Sequence, residues 1–541
     1  MIKAPAHGMP DGMPLRYMRF CLVAMMLIIC GCTMVGPDFS RPRAPVARQW
    51  RETNDPVVDS SRREDFQWWT VFHDPVLVRL IEVAYRQNLT LRVAGLRVLR
   101  ARAQLAVAIG GLYPQQQQIS TALSYTRLPL ELPYVYETVP NYWTTSFMLQ
   151  EGWEIDFWGQ LRRAVQYADD VFLGSVANYD AALVTLIGDV ASDYVQIRTL
   201  QKRIDIARAN VEKQRQSLQI AEAKFHGGTA TELDVDQAKN VLGATEATIP
   251  ALRMRLAETE NALAVLLGIP PQPLDKLLAG SSDIPTAPAS VAVGIPADLL
   301  ERRPDVRKAE LDAAAQCAQI GVAKAYLYPI LSIGGSIGTL TTTLGASGLD
   351  ALFTGGSLLY SVGPTIQWNF LNFGRLDNNV RVQDARFEEL LVVYQNTVLA
   401  AQQEVENGIA TFTQSREQAK FLRDSVDAAQ RALEIAMLQY TEGTADFTTV
   451  LTAEQNLLVA QDNLATATGT IALGLIQTYR ALGGGWQIRQ GGDFVPEPTR
   501  AEMARRTNWG DLLTPVDMLR PEAPGLPSSQ DTGPLVRPPE W

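Results

Sequence analysis

Histidine is nearly missing from these 541 residues: His7, His73 and His226 are the whole complement. None of them stands in a cluster of Cys, Asp or Glu with metal-ligand spacing. A nucleophile elbow, a P-loop and a dinucleotide fingerprint are absent too, so neither an enzyme nor a cofactor is expected. Cysteine is also scarce, and Cys21, Cys30 and Cys32 all lie near the N-terminus. That leaves Cys317, in a helical pattern, as a small core residue. No apolar run exceeds Phe20 to Gly31, too short to cross a bilayer as a helix. A mean hydropathy of −0.04 argues against a many-helix inner-membrane protein. The net charge of −10 speaks against nucleic acid as a partner. Proline is missing from 159–225 and from 374–440, which leaves room for two very long helices.

The short apolar run follows Arg16 and Arg19 and ends Ile29-Cys30-Gly31-Cys32. A charged n-region, a short h-region and a small residue before Cys32 match a bacterial lipobox, with acylation at Cys32 after removal of residues 1–31. Residues 32–66 carry Pro37, Pro42, Pro45 and Pro56 and read as an extended linker leaving that anchor.

Beyond the linker, one pattern occurs twice. Tyr113-Pro114, Trp153 and Gly159 have counterparts at Tyr328-Pro329, Trp368 and Gly374, each 215 positions later. The offset divides the chain into a first repeat (67–268), a linker rich in Pro, Ser and Ala (269–294), a second repeat (295–486) and a polar, Pro-rich tail (487–541) expected to be irregular. Each repeat begins with a helix (88–112 and 305–327) stopped by Pro114 or Pro329. Alternation follows: Ile119, Thr121, Leu123 and Tyr125 against Ser120, Ala122, Ser124 and Thr126, and Leu331, Ile333 and Ile337 against Ser332, Gly334 and Ser336. Period-two stretches of about ten residues have the pattern of a membrane strand, apolar to lipid and polar to lumen, and equally that of an antiparallel sheet on a core. Glu151 breaks the pattern on its strand.

After Gly159 and Gly374 the period becomes helical. Leu391, Tyr394, Val398, Ala401, Val405, Ile409 and Phe412 form a seam spaced by three and four, and the positions 215 earlier are apolar throughout. Gly228 and Gly443 sit in matching turns, from which helices return over 232–267 and 447–482. Pro250 is expected to kink the first return helix.

Four membrane strands cannot close a barrel, and hydrocarbon tolerates no open edge. Two chains give eight strands and a filled barrel; three give twelve and a lumen. The expected fold is therefore mixed α and β: a trimeric 12-stranded barrel, four strands per chain, continuous with a helical coiled-coil cylinder.

The chain resembles the TolC-like outer-membrane efflux proteins, in particular their lipoprotein subgroup. The resemblance rests on Cys32 with Gly36-Pro37-Asp38, Trp68-Trp69 with Phe72 and Asp74-Pro75, and Leu300-Glu301-Arg302-Arg303-Pro304-Asp305. The Tyr-Pro pairs, both glycine turns and Phe373-Gly374 extend it over roughly 33–486. It implies a homotrimeric, lipid-anchored exit duct in the bacterial outer membrane, joined through a periplasmic adaptor to an inner-membrane pump and conducting passively. It also implies that Gly228, Thr229, Gly443 and Thr444 are adaptor-docking tips and that Asp234, Asp236 and Asp446 lie near the periplasmic entrance. Some relatives carry paired acids at the positions of Thr449 and Thr452, so that charge is missing here. Asp234 is the one direct match, while the acids are equally suited to helix N-termini. The competing reading is a non-conducting periplasmic spacer or binding lipoprotein with coiled-coil hairpins. It leaves the two alternating hairpins unexplained.

Overall fold

The computed structural model describes residues 34–60, 66–127, 141–298, 302–343, 349–489 and 492–514. Cys32, the expected signal segment, Leu300-Glu301 and the chain beyond 514 lie outside these residues. In chain order the elements are β1 (Val58–Asp59), α1 (Pro75–Gln87), α2 (Leu89–Gly110), β2 (Gln116–Arg127), β3 (Asn141–Ile155), α3 (Gln160–His226), α4 (Glu232–Leu266), β4 (Val291–Ala292), α5 (Pro304–Ala325), β5 (Ile330–Thr342), β6 (Leu358–Gln367), α6 (Arg375–Thr441), α7 (Phe447–Ala481) and α8 (Glu497–Arg506).

Helices α3 and α6 are each 67 residues long, about 100 Å at ~1.5 Å per residue. Nucleation cost is spread over many turns, and the apolar seam supplies the packing that propensity alone cannot. Tyr394, Val398, Ala401, Val405, Ile409 and Phe412 are all buried, as are Val176, Tyr179, Leu183, Leu186, Val190, Tyr194 and Ile197 on α3. Leu391 is half-buried. Helix α2 packs on α3, α3 on α5 and α5 on α6, so four helices form a layer with α2 and α6 as its end members. Pro250 lies inside α4, which continues through it as one helix.

Two cores hold the layer. The larger, at mid-height, gathers Trp68, Trp69, Leu77 and Leu80 around the seams of α3 and α6. Asp74 starts α1 by accepting hydrogen bonds from Val76 N and Leu77 N, and its other oxygen accepts from the buried Tyr194 hydroxyl at 2.7 Å. The smaller core lies at the far end of the long helices and includes Tyr440, Phe447, Val235 and Leu433.

The segment before β1 is a docked strap. Arg163, almost fully buried, holds Asp38 at 2.7 Å, and Gly36 and Gly321 approach so closely that a Cβ on Gly36 would lie 2.5 Å from the Gly321 Cα. Further along, Gln402 accepts from Ala47 N and donates to Pro45 O, Glu406 accepts from Arg51 N, and the Thr413 hydroxyl donates to Glu52. Trp50 is buried, and β1 pairs in parallel with β4 from the linker between the halves.

The polar tail departs from its expected irregularity between 492 and 514. Helix α8 lays Met503 against Leu99 and Val495, and Arg102 donates to the carbonyls of Leu512 and Thr514. A bidentate ion pair between buried Arg489 and buried Asp180 pins the start of this segment. Two buried apolar anchors, Val495 and Met503, and one buried pair outweigh the polar composition.

Candidate functional site

Strands β2, β3, β5 and β6 form one antiparallel sheet in that order, leaving β2 and β6 as its two edges. The register gathers the alternation into two faces. Ile119, Leu149, Ile337 and Tyr360 make one row across all four strands, and each is between 46% and 72% exposed. The adjacent row, on the opposite face, is Gln118, Gln150, Ser336 and Ser361. Glu151 falls in a row of the first face between Gln117 and Gly335. Large side chains left this open in one protomer form an apolar patch well beyond what scattered surface residues give.

Aromatic residues join the sheet to the helices. The Trp153 indole donates to Leu112 O at 3.3 Å, and its counterpart Trp368 donates to Leu327 O at 3.0 Å. Both bonds satisfy carbonyls just past a helix end that would otherwise lack a partner. Trp158 stacks on Tyr328 at 4.5 Å and donates to Pro329 O. Trp153, Trp368 and Phe370 therefore stand at the sheet–helix junction.

At the opposite end the long helices close in two matching turns. Gly228 (φ +72°) and Gly443 (φ +76°) take the left-handed position after α3 and α6. Thr229 N bonds to Lys224 O and Gly228 N to Phe225 O; Thr444 N bonds to Gln439 O and Gly443 N to Tyr440 O. Both are Schellman closures, which favour glycine at that position. A Cβ on either glycine would meet nothing within 4 Å, so the requirement is for backbone conformation and not for space. The four tip residues are exposed or nearly so.

The entrance residues fall on the return helices. Asp234 is third in a capping box: its carboxylate accepts from Thr231 N at 2.9 Å, and Thr231 Oγ accepts from Asp234 N. Asp236 is exposed and lies 3.5 Å from Lys239, one turn on. Asp446 is the N-cap residue of α7 without a side-chain cap bond. The Thr452 hydroxyl donates back to Thr448 O, and Thr449 lines the groove between α6 and α7.

Two features near the tips left no mark on the sequence pattern. Lys224 of the first turn donates to Tyr440 O and Thr441 O and lies 4.3 Å from the Tyr440 ring centre, placing a cation at the C-terminus of α6. Deeper in, Glu454 is buried and accepts from the Ser217 hydroxyl. Burial raises its pKa, against the opposing effects of Ser217 and Lys213.

Sequence comparison gives a consistent picture. The family described as "Outer membrane efflux protein" matches residues 80–269 and again 295–484. The chain is similar to Nodulation protein T of Rhizobium leguminosarum bv. trifolii, 29% identical over 454 residues that cover 84% of this chain and 94% of that protein. It is 30% identical to the toluene efflux pump outer membrane protein TtgF of Pseudomonas putida, over 86% of this chain and 97% of the relative. Among solved structures, the outer-membrane channel OprN matches with a TM-score of 0.78 at 32% identity, covering 84% of this chain and all of that one. The open state of the Neisseria gonorrhoeae MtrE outer membrane channel matches with a TM-score of 0.73 at 26% identity, over 84% of this chain and 98% of its own.

Proposed function

The chain belongs to the outer membrane efflux protein family, and from that premise we propose that it is the passive exit duct of a tripartite efflux system. It is an outer-membrane protein of bacterial efflux, with a TolC-like channel fold. The duct reading is carried by the sheet: four strands with an exposed apolar face, two open edges, and 100 Å-scale helices leading away from it. An open edge in hydrocarbon leaves several backbone groups unpaired at several kcal/mol each, so the sheet needs copies of itself to close.

Three copies give twelve strands and a lumen, and the two matched regions, 80–269 and 295–484, support a twofold repeat offset by 215 residues within each. Such a trimer has quasi-sixfold symmetry, with the helical layers continuing the barrel. Gly228, Thr229, Gly443 and Thr444 are then the adaptor-docking tips. Asp234, Asp236, Asp446, Thr449 and Thr452 stand near the entrance, and the inner-membrane pump supplies the energy. Acylation at Cys32 suits the fold as well. Val35 N bonds to Trp158 O at the sheet–helix junction, and three residues span roughly 10 Å at most, so an acyl chain would start beside the membrane edge.

The deciding experiment is conductance. Purified protein should run as a heat-modifiable trimer in unboiled gels and open discrete conducting channels in planar bilayers. A water-soluble, non-conducting protein after acyl removal would instead support the spacer reading.

A further inference from the structure

The loop that joins β5 to β6 turns back over the sheet. Its short 3-10 turn, Leu349–Phe353, packs on β5 and β3. The strand register identifies the face it covers. Phe147 stands in a row with Thr121, Thr339 and Leu358, two positions along from the row of Ile119, Leu149 and Tyr360 and on the same side. The Phe353 ring meets the Phe147 ring edge-on, 6.3 Å between centres, yet Phe353 is still 77% exposed. In the next row Leu123 is 62% exposed, whereas Thr341, on a strand that the turn packs against, is only 5% exposed. The loop therefore lies on the apolar face of the sheet and not on the polar one.

The same register gives the depth. Tyr125 pairs with Trp143 across β2 and β3 on the apolar face, their ring centres 5.0 Å apart. Trp143 and Trp153 stand 10 residues apart on β3 (153 − 143). That is about 33 Å along the strand and, at a tilt of roughly 40°, ~25 Å along the membrane normal, the height of an apolar band between two aromatic girdles. Phe147 is 4 residues inside the outer girdle (147 − 143), so the Phe353 ring beside it lies on the acyl-chain side. Residues 351–360 carry no charge, and Asp350 before them is exposed. The loop also closes its own backbone: Thr354 N and the Thr354 hydroxyl donate to Ala351 O, Ser357 N donates to Thr354 O, and the Ser357 hydroxyl donates to Leu352 O and Thr354 O. A segment without regular structure that touches lipid needs such closure. Because β3 and β5 are the two inner strands, the turn stands clear of the edges β2 and β6 at which copies of the sheet would join.

We propose that Leu349–Phe353 is a membrane foot, which sets the Phe353 ring among the outer-leaflet acyl chains and leaves Asp350 in water. This inference rests on the reading above that the apolar face of the sheet meets lipid. Removing the open ring from water into hydrocarbon is favourable, a gain that the same loop held out in solvent would forgo. With Tyr125 and Trp143 at the interface above it, the foot fixes how deep the barrel sits in the outer leaflet.

Spin labels test it. Phe353→Cys, Asp350→Cys and Leu149→Cys, each in a full-length Cys317→Ser background, would be labelled and reconstituted in liposomes of phosphatidylethanolamine and phosphatidylglycerol, with signal from the unsubstituted background subtracted. Accessibility is then read by power saturation with oxygen, which favours hydrocarbon, and with a nickel chelate, which stays in water. The label at 353 should meet oxygen in excess of nickel, with nickel access about tenfold below that at 350. Leu149, at the centre of the apolar face, should behave as 353 does. If Leu149 reports lipid but the label at 353 is as open to nickel as that at 350, or is shielded from both probes by protein, the foot is overturned while the duct stands. A label at Leu149 open to nickel would overturn both.

Discussion

Gly443 allows folding and docking to be separated, because the structure assigns almost no packing role to the position. Replacing it with Trp places a Cβ in open space, with no atom within 4 Å, so no clash and no cavity follow. The remaining cost is the left-handed backbone at φ +76°, about 1–2 kcal/mol for a non-glycine residue. Against a core that buries Tyr440, Phe447, Val450 and Leu457 just above the turn, that cost frays one helix end and leaves the protomer folded. The variant should therefore reach the membrane in normal amount, with a melting temperature within a few degrees of wild type. Docking is another matter. A bulky indole on an exposed tip blocks close approach of a partner helix, so crosslinking to the adaptor should fall to background and sensitivity to exported compounds should rise to that of a deletion. Gly443→Ala should sit between, near wild type in assembly. Normal efflux by Gly443→Trp at normal protein level would refute the assignment of this turn to docking. Loss of the protein from the membrane would refute the packing argument.

Asp234→Ala should remove the capping box of α4, costing about 1 kcal/mol, and make the closed entrance leakier; unchanged single-channel conductance and antibiotic sensitivity would contradict an entrance role. Asp180 and Arg489 form a buried pair, so Arg489→Met should destabilise by about 3–5 kcal/mol through the stranded carboxylate, and adding Asp180→Leu should recover most of it in chemical denaturation. Burial, reinforced by neighbouring Asp169, raises the Asp170 carboxyl from 3.8 to about 7. A raised acid binds more protons in the folded state, so stability should fall as pH rises from about 4 to 7 and stay low above that. At face value this is about 4 kcal/mol, and partial solvent exposure cuts it to roughly 1–2 kcal/mol. Asp170→Asn should flatten the dependence of melting temperature on pH, and an unchanged slope would count against it.

What can be read from the sequence is whatever repeats with a period. The alternation at Ile119, Leu123 and Tyr125, and at Ile333 and Ile337, marks strands because successive side chains must take opposite faces. The three-and-four spacing from Tyr394 to Phe412 marks a buried helical stripe for the same kind of reason. Glu151, out of pattern in the sequence, is equally out of pattern in the sheet. Contacts without a period are silent. The strap from Met34 to Ser60 is fixed by single backbone groups meeting Gln402 and Glu406 and by the Glu52 carboxylate meeting Thr413, and nothing in a Pro-rich stretch announces such partners. Asp180 and Arg489 lie 309 positions apart. Lys224 reads in the sequence as one more surface lysine, and only the fold sets it beneath the carbonyls of α6. The segment 492–514 is hidden for a compositional reason: a few anchors such as Val495 and Met503 are too few to register against so many charges and prolines.

The strap also sets an order in time. Ala47 and Arg51 meet partners 355 positions later in the chain, Glu52 a partner 361 later, and the Trp68 indole donates to a carbonyl 416 positions away. Contacts so distant in sequence carry the largest loop-closure cost and cannot form until α6 and the end of α7 exist. The N-terminal residues must therefore wait, unlatched, while nearly the whole chain is delivered and folded, and their docking completes the protomer. Any chemistry performed on the chain ahead of Met34 has that interval in which to occur, before the strap closes over α5 and α6.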